Sequence, residues 1–506
     1  NQKSGGSLAR LADTVRGGDY YLNLLSSGDR VAIRIDSSSF FTNGALDGGV
    51  IISHGYETSV ELSHVEVHNN SALNGGFIFF NSRYASFTAT YSNLDSNFAQ
   101  SSGGVIQAAE NLAFTFKNGG INNNRVNSAG GVVTCYRFFT SADGDTVFSN
   151  AQVVNNESAN FGGVIIALQA AGKLGFYSTT LRSNEADAGA NFYTADGSLS
   201  EFWVRDCIVD SNYSTQGPAF LYAATGSINR VDIQSTTFNY NVGGVGTILY
   251  ADSVESFIAD SVYIDSNYTF TEGLILMNAV DSLSITNSSI QHNTSDGAGT
   301  IVVGLRNTGY GNNNGPAIHP FRLENVEICN NSTQTLQGDV PANVVVIGDQ
   351  YGIELENCRI DSNNTWLPGV YADGYNSVYV SNTTFIGNVS DSYRAQVDNQ
   401  SMGYFGPLLL SGCSDIHISN SIFHKNYTGD NSFGLYPSQI LSLNEDSIYI
   451  GTSTFTDYPG IAIYTTNNTL VENSIFFSSS ELNFYSPNPN VFTSNYNVIS
   501  SIPNNT

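Results

Sequence analysis

The sequence predicts an all-β protein, a solenoid in which the chain winds through about 15 stacked coils of parallel β-strands. Three observations predict this fold. A short phrase with a conserved spacing of an apolar residue and asparagine recurs along most of the 506 residues. A glycine-bearing turn and a second strand follow many copies of it, and helical periodicity is almost absent between the copies.

The recurring phrase is an apolar residue followed three places later by asparagine, as in SITNSSIQHN at 284 to 293. Most copies are 25 to 32 residues apart and two intervals are 38 residues, which is the period of a repeat architecture. Fourteen asparagines occupy this position, and we name them the corner asparagines: Asn43, Asn70, Asn97, Asn124, Asn156, Asn184, Asn212, Asn241, Asn267, Asn293, Asn331, Asn363, Asn388 and Asn426.

Each repeat has the same predicted parts. An alternating run such as LSI at 283 to 285 indicates a half-buried strand, and the corner asparagine follows a second short strand. A Gly-Gly turn then leads into a third strand, as in GGVII at 48 to 52 and GGFIF at 75 to 79. The glycines allow positive φ and leave no side chain in the way of a tight turn.

Stacking of the coils explains the residue choices. Coils about 4.8 Å apart place each position on its counterpart in the next coil. Asparagine tolerates left-handed backbone angles, and its amide both donates and accepts, so stacked copies can bond along the axis. One set of apolar residues is expected to form a continuous inward stack: Phe40, Leu94, Ile121, Val209, Phe238, Ile264, Ile290, Ile360, Phe385 and Phe423.

The phrase followed by Gly-Gly and two apolar residues resembles the repeats of chlamydial polymorphic outer-membrane proteins. The resemblance is clearest in FFTNGALDGGVI (40 to 51), LDSNFAQSSGGVI (94 to 106) and VVNNESANFGGVI (153 to 165). The preceding alternating element is similar to the coils of pectin-lyase-like right-handed β-helices. These resemblances cover about residues 40 to 430 and imply a right-handed parallel β-helix. Enzymes, adhesins and structural surface proteins share such coils, so the resemblance implies no single activity.

The two ends are expected to differ from the repeats. Residues 1 to 18 are predicted to hold a capping helix, because SLARLADTVRGG offers Ser7 as N-cap, an apolar face of Leu8, Leu11 and Val15, and a glycine stop. We expect the β-helix over 19 to 485 and a proline-bearing terminal wrap over 486 to 506. A helical cap would block strand pairing at that end, so a filament would use lateral or loop contacts such as 389 to 407.

Composition limits the partners. The net charge is -26, from 18 basic and 44 acidic residues, which argues against nucleic acid or an anionic membrane. No run of 18 apolar residues occurs and the first residue is not methionine, so we expect a processed secreted protein or a fragment of a longer one. The five cysteines lack metal-binding spacing, and we expect most of them to be free, buried thiols.

No catalytic, cofactor or metal site is predicted. The sequence lacks the GHG, NTD and RxK elements of polygalacturonase-like enzymes, and the seven histidines do not repeat one coil position. Loops are where function would be added to such a scaffold. Aromatic residues in two of them are the candidate contacts for a partner chain or glycan, the alternative being tolerated insertions: Tyr393, Tyr404, Phe405, Phe433 and Tyr436.

Acceptor motifs for N-glycosylation are concentrated at the corners. The sequence has fifteen N-x-[ST] motifs, and eight of the fourteen corner asparagines belong to one, where about three are expected by chance. One interpretation is that the corner asparagines point outward and carry glycans; the other is that Ser or Thr two places on helps the corner turn and the asparagines form an inward ladder. On the first interpretation the glycosylation sites are Asn69, Asn156, Asn212, Asn267, Asn287, Asn293, Asn331, Asn363, Asn382, Asn388, Asn426 and Asn467.

These observations favour a secreted, non-enzymatic surface glycoprotein, a rigid rod that builds an extracellular coat or filament with other chains, including copies of itself. It would reach the cell surface through the secretory pathway, without a membrane span. One alternative is a polysaccharide lyase or hydrolase of the pectin-lyase-like class, which predicts a carboxylate cluster in a groove. Another is a bacterial autotransporter passenger or phage-type adhesin, which predicts an unglycosylated chain.

Overall fold

A computed structural model describes most of the chain. The described residues are 7–11, 14–16, 22–24, 30–138, 148–271, 273–297, 299–303, 321–333, 344–347, 352–365, 369–374, 377–390, 396–397, 400–401, 407–428, 438–443, 447–458, 461–466, 468–478, 484–486 and 492–501. These residues contain no helix, and their strands form long parallel sheets. The predicted right-handed parallel β-helix is therefore confirmed.

The chain divides into two compact units, Asn1–Val254 and Glu255–Thr506. Each unit is a β-helix of its own with three sheets, which we number in the order in which one coil passes through them. The strand Leu249–Asp260 contains the boundary between the units.

In the first unit the strands of each sheet lie in register from coil to coil. The first sheet holds Ser7–Leu11, Leu22–Leu24, Arg30–Asp36, Ile51–Ser53, Glu57–Ser63, Ile78–Phe80, Tyr84–Thr90, Ile106–Lys117, Val133–Phe138, Phe148–Ser149, Ile165–Tyr177, Phe192–Arg205 and Leu221–Gln234. The second sheet holds Thr14–Arg16, Ser39–Phe41, Glu66–His68, Asn93–Asp95, Gly120–Asn122, Gln152–Val154, Thr180–Arg182, Ile208–Asp210 and Thr237–Asn239. The third sheet holds Gly44–Asp47, Ser71–Asn74, Phe98–Ser102, Arg125–Val126, Glu157–Ser158, Glu185–Ala186, Tyr213–Ser214 and Val242–Gly243.

The second unit repeats this arrangement. Its first sheet holds Ile275–Thr286, Ile301–Val303, Phe321–Glu324, Val344–Ile347, Ile353–Glu356, Val370–Asp373, Ser377–Ser381, Leu408–Ser411, Asp415–Ser419, Ser438–Leu443, Ser447–Gly451, Ile461–Thr465, Asn468–Glu472, Phe484–Tyr485 and Phe492–Asn495. Its second sheet holds Tyr263–Asp265, Ser289–Gln291, Glu327–Cys329, Arg359–Asp361, Thr384–Ile386, Ile422–His424, Thr454–Thr456, Ile475–Ser478 and Val498–Ser501. Its third sheet holds Tyr268–Thr269, Thr294–Ser295, Ser332–Thr333, Asn364–Thr365, Val389–Ser390 and Tyr427–Thr428. A short antiparallel pair, Gln396–Val397 and Gln400–Ser401, lies outside these sheets.

From Ser39–Phe41 onward, the middle residue of each three-residue strand in the second sheet points inward. All ten residues of the predicted apolar stack are buried, which confirms that prediction. In the second unit the rings of Phe385, Phe423, Phe455 and Phe476 stack in sequence with centroids 4.8 Å apart, the spacing of adjacent strands. This stack forms one wall of the core.

Left-handed residues make the sharp corners on both sides of these short strands. Asn118 and Asn123, for example, flank Gly120–Asn122 with φ of 55° and 56°. The left-handed region costs most residues about 1–2 kcal/mol, and asparagine visits it more readily than other residues with a side chain. This preference explains part of the asparagine content of the corners.

The paired glycines of the first unit have two separate roles. Gly75 has a φ of 63°, so it makes the turn into the first sheet. Gly76 has ordinary backbone angles, but a Cβ atom there would lie 2.1 Å from the carbonyl oxygen of Gly104 in the next coil. The second glycine is therefore required by the close approach of two backbones.

The predicted helix at 7 to 18 is wrong. Ser7–Leu11 and Thr14–Arg16 are strands that pair in parallel with Arg30–Asp36 and Ser39–Phe41. A helix this short is marginal on its own, whereas the neighbouring strands offer a row of unpaired backbone donors and acceptors. Strand pairing therefore prevails over the helical spacing of the apolar residues, and the expectation that a helix blocks this end falls with it.

The predicted terminal wrap over 486 to 506 is also wrong for its described part. Phe492–Asn495 and Val498–Ser501 pair in parallel with Asn468–Glu472 and Ile475–Ser478, so they continue the coil. Prolines at 487 and 489 precede these strands and do not interrupt them. The described residues hold nine second-sheet strands in each unit, more than the 15 coils expected for the chain.

Candidate functional site

The corner asparagines of the first unit form a continuous internal ladder. Asn70 donates from Nδ2 to Oδ1 of Asn97 in the next coil at 3.0 Å, and its backbone N–H donates to the same oxygen at 3.1 Å. Its second Nδ2 hydrogen reaches the carbonyl oxygen of Phe40 at 3.3 Å. The Oδ1 of Asn70 in turn accepts the N–H and Nδ2 of Asn43. Every polar atom of the side chain is thus satisfied within the protein.

The same Nδ2-to-Oδ1 contact links Asn43 to Asn241 through all eight corner asparagines of this unit, at 2.8 to 3.2 Å. All eight side chains are buried. The predicted bonding of stacked asparagines along the axis is therefore confirmed.

A second ladder runs from Asn267 to Asn426 in the second unit, with Nδ2-to-Oδ1 distances of 2.9 to 3.2 Å. The next coil has Tyr458 at the corner position. The ladder ends instead on Gln439, whose Oε1 accepts from Asn426 Nδ2 at 2.9 Å and whose Nε2 donates to the Asn426 carbonyl oxygen at 3.2 Å. Buried Gln439 therefore satisfies the last asparagine, and the repeat pattern contains no signal for it.

From Asn70 to Asn363, the residue two places after each corner asparagine is also internal. This row, which we name the +2 row, holds buried small residues in the third sheet, among them Ala72, Ala99 and Ala186. Two serines of the row bond to backbone groups. Ser158 Oγ donates to the carbonyl oxygen of Phe161 in the following turn at 2.8 Å. Ser214 Oγ donates to that of Asp187 in the preceding coil at 2.8 Å and accepts from the N–H of Gly217 at 3.2 Å. These serines of the motifs are therefore part of the fold.

These contacts contradict the interpretation that the corner asparagines point outward, on which eight of the twelve predicted glycosylation sites depend. Those eight are buried and their Nδ2 atoms donate within the ladders: Asn156, Asn212, Asn267, Asn293, Asn331, Asn363, Asn388 and Asn426. A glycan would take one Nδ2 hydrogen and would need space that the core does not have. The excess of motifs at the corners reflects the ladder and the +2 row.

The other predicted acceptors have different positions. Asn69, Asn287 and Asn382 are exposed residues with positive φ that lie outside the ladders. Asn467 lies outside the described residues. Asn330 is a further exposed residue of this kind that belongs to an acceptor motif but not to the predicted set. The acceptor motif of Asn330 overlaps that of Asn331, but Asn330 is exposed whereas Asn331 is buried.

The five aromatic residues predicted as partner contacts, Tyr393, Tyr404, Phe405, Phe433 and Tyr436, lie outside the described residues. The structure shows another set of aromatic residues in the first unit, of which one is exposed, two are half-buried and Tyr250 is buried. Phe161, Tyr193, Tyr222 and Tyr250 lie in successive coils with ring centroids 4.7, 5.2 and 5.1 Å apart, and we name them the aromatic row. Burial raises the pKa of the Tyr193 hydroxyl.

The sequence carries a weak signal for this row. Tyr193 directly follows the inward-facing Phe192 in the first sheet, and Tyr222 directly follows Leu221 in the same register. Alternation places both tyrosines on the outer face of the strand. A search of the outward positions after the turn would have found them.

The cysteines agree with the sequence analysis. All five are free and buried. Burial raises the pKa of the Cys207 thiol to about 12 and those of Cys329 and Cys358 to about 11, and it also raises that of Cys135. These thiols are therefore protonated at neutral pH and poorly nucleophilic.

Carboxylates and histidines on the outer surface mostly pair with each other or with arginine. His68 Nε2 lies 2.9 Å from Glu66 Oε2, and its Nδ1 lies 3.6 Å from Asp95 Oδ2 in the next coil. Arg30 and Arg34 pair with Glu57 and Glu61 across neighbouring coils at 2.9 and 2.8 Å. Within the described residues no three His, Cys, Asp or Glu side chains are placed to share a metal ion.

One carboxylate is completely buried. Asp232 Oδ2 is 2.8 Å from Arg205 Nη2 and 3.1 Å from Arg230 Nη2, and Gln234 Nε2 donates to Oδ1 at 2.9 Å. The two guanidinium groups neutralise this carboxylate and fill its hydrogen-bonding positions. The Asp232 side chain is 0% exposed, so the carboxylate has no face open to a substrate.

No known family matches the chain, and a search of curated proteins finds no match. The described residues contain no helical segment with the length and hydrophobicity of a membrane span. The function must therefore be argued from the β-helix and the residues on it.

Proposed function

We propose that this protein is a non-enzymatic structural or adhesive component of an extracellular coat or filament. The observation that carries the proposal is that the repeated polar residues are used by the scaffold itself. The ladders saturate the corner asparagines, and backbone groups take up Ser158 and Ser214 of the +2 row. The repeats therefore build a stable scaffold.

The outer surface supports a role in contacts more than in catalysis. Many acidic side chains there pair across coils with arginine, as Glu57 does with Arg30. The net charge of -26 keeps such a protein soluble and disfavours acidic polysaccharides as ligands. Phe161 is exposed and Tyr193 and Tyr222 are half-buried, so this part of the aromatic row suits a contact with another chain of the same assembly or with a neutral surface.

The resemblance of the repeats to those of chlamydial polymorphic outer-membrane proteins belongs to this proposal. It favours a cell-surface location. The rival proposal, a polysaccharide lyase or hydrolase, requires a carboxylate that a substrate can reach. Asp232 does not provide one, because it is buried between two arginines.

The test compares catalysis and assembly in the same preparation. We expect no release of reducing ends or unsaturated products from a panel of plant and algal polysaccharides, and concentration-dependent light scattering by the protein alone. The double variant Tyr193→Ala and Tyr222→Ala should scatter less. Tyr177→Ala is the matched control, because Tyr177 is also exposed on a first-sheet strand but lies outside the aromatic row.

Turnover that Asp232→Asn abolishes in a folded protein would overturn the proposal in favour of an enzyme. If the wild type, the double variant and the control scatter light equally, the aromatic row does not contribute to assembly.

A further inference from the structure

N-glycosylation has a defined cost for the asparagine that accepts the sugar. The Nδ2 atom attacks C1 of a sugar carried on a lipid diphosphate. The Nδ2–C1 bond forms, the bond from C1 to the diphosphate oxygen breaks, one amide hydrogen leaves as a proton, and the lipid diphosphate departs. The modified amide keeps a single hydrogen and gains a bulky polar substituent.

In the folded protein the ladder asparagines can neither give up an Nδ2 hydrogen nor accommodate a sugar. Asn363 uses both Nδ2 hydrogens, one to Asn388 Oδ1 at 2.9 Å and one to the Ile328 carbonyl oxygen at 2.8 Å. Its side chain is 1% exposed. A glycan would remove one of these buried hydrogen bonds and would force a sugar into the interior, where its hydroxyls would lack partners.

Three exposed asparagines that lie outside the ladders are in the opposite situation. Asn69, Asn330 and Asn382 have φ of 55°, 55° and 49°, which turns each side chain away from the coil. Their side-chain amides make no hydrogen bond to any described residue. Asn287 is also exposed, but its Nδ2 donates to Asp260 Oδ1 at 2.8 Å.

We infer that Asn69, Asn330 and Asn382 are the N-glycan acceptors of the folded chain, and that a glycan on any ladder asparagine prevents folding. The order of events follows from this. A transferase that acts on the unfolded chain can modify every motif, and the glycans on the ladder asparagines then prevent the ladders from forming. A transferase that acts after folding can reach only the exposed asparagines. This inference does not rest on the proposed function.

The experiment expresses the full chain through the secretory pathway of a glycosylating eukaryotic cell and, separately, in bacterial cytoplasm. Soluble, protease-resistant protein is separated from aggregate, and glycopeptides are mapped in both fractions. We expect sugar on Asn69, Asn330 and Asn382 in the folded fraction. Sugar on ladder asparagines should occur only in the aggregate.

A matched variant removes the eight ladder motifs and keeps every asparagine. It replaces the third residue of each motif by alanine, which the +2 row already contains at Ala72, Ala99 and Ala186. The replaced residues are Ser158, Ser214, Thr269, Ser295, Thr333, Thr365, Ser390 and Thr428. In the glycosylating cell its folded yield should rise about tenfold or more, since each ladder glycan costs a buried hydrogen bond. In bacteria the yields of variant and wild type should be similar.

The control Ser71→Ala removes only the Asn69 motif, and it should delete one glycan without changing the folded yield. Sugar on any ladder asparagine in the folded, protease-resistant fraction would overturn the inference. Bare Asn69, Asn330 and Asn382 in a folded fraction from the glycosylating cell would also overturn it. Both readouts come from the wild-type chain, so they stand even if the alanine variant folds poorly in both hosts.

Discussion

Replacing Asn97 by alanine removes four side-chain hydrogen bonds from the interior of the first unit. Two are donated by Nδ2, to Asn124 Oδ1 at 3.0 Å and to the Val67 carbonyl oxygen at 3.2 Å. Two are accepted by Oδ1, from the N–H and Nδ2 of Asn70 at 3.1 and 3.0 Å. The Asn124 oxygen keeps one bond from the Asn97 backbone, whereas the Asn70 donors lose theirs.

The expected cost follows from these contacts. A buried hydrogen bond contributes about 1 kcal/mol net, and a buried group left without a partner costs about 1–3 kcal/mol. Four lost bonds, with one acceptor still satisfied, therefore cost about 3–5 kcal/mol of unfolding free energy. That loss is a large part of the ~5–15 kcal/mol that stabilises a typical domain.

Urea unfolding followed by far-ultraviolet circular dichroism measures this cost, and hydrogen exchange at the Asn70 amide tests whether the damage is local. The control is Asn69→Gly, which keeps the left-handed corner and changes the unfolding free energy by about 0.5 kcal/mol or less. A loss below about 1 kcal/mol for Asn97→Ala, or a loss equal to the control, would refute the ladder as a source of stability.

Three further predictions concern buried groups. Thr333→Val should raise the thermal midpoint, because the buried Thr333 hydroxyl has no partner among the described residues and its removal relieves about 1 kcal/mol; a lower midpoint would contradict this. Asp232→Asn should lower the unfolding free energy, measured by urea unfolding, by about 2–4 kcal/mol. This is less than for a fully buried ion pair, because Arg205 and Arg230 are partly exposed. An unchanged value would contradict a stabilising role of the two arginine contacts. The raised thiol pKa of Cys207, about 12 against the ordinary 9.0, means that the folded chain holds a proton that the unfolded chain loses. Stability should therefore fall from pH 9 toward 12, and thiol reagents at pH 8 should label the cysteines only after unfolding; rapid labelling of native protein would refute the burial.

Much of the fold was predictable because its signals are local. The spacing of Phe40 and Asn43 recurs in fourteen coils, and the positive φ of Gly75 belongs to the turn that contains it. The inward stack follows from the same repeat. The terminal segments were mispredicted because their local patterns, helical spacing at Leu8 and Leu11 and prolines near 488, say nothing about the strand edge beside them.

The candidate sites were less predictable because their chemistry depends on neighbours in other coils. Asn330 and Asn331 are adjacent and both belong to acceptor motifs, yet one is exposed and the other is buried in the ladder. Gln439 completes the second ladder without belonging to the repeat. Asp232 is one of 44 acidic residues, and only the fold brings Arg205 to it from the preceding coil.

By itself the sequence determined the class of fold, the length of the repeat and the identity of the corner residues, because these follow from backbone preferences and periodic hydrophobicity within one coil. Only the tertiary structure decided which way the corner asparagines face. Each bond between two ladder asparagines joins residues 25 to 38 positions apart, so an isolated coil cannot form it. Stacking of the coils supplies both partners, and it thereby turns what the sequence presents as a glycosylation motif into an internal hydrogen-bonded column.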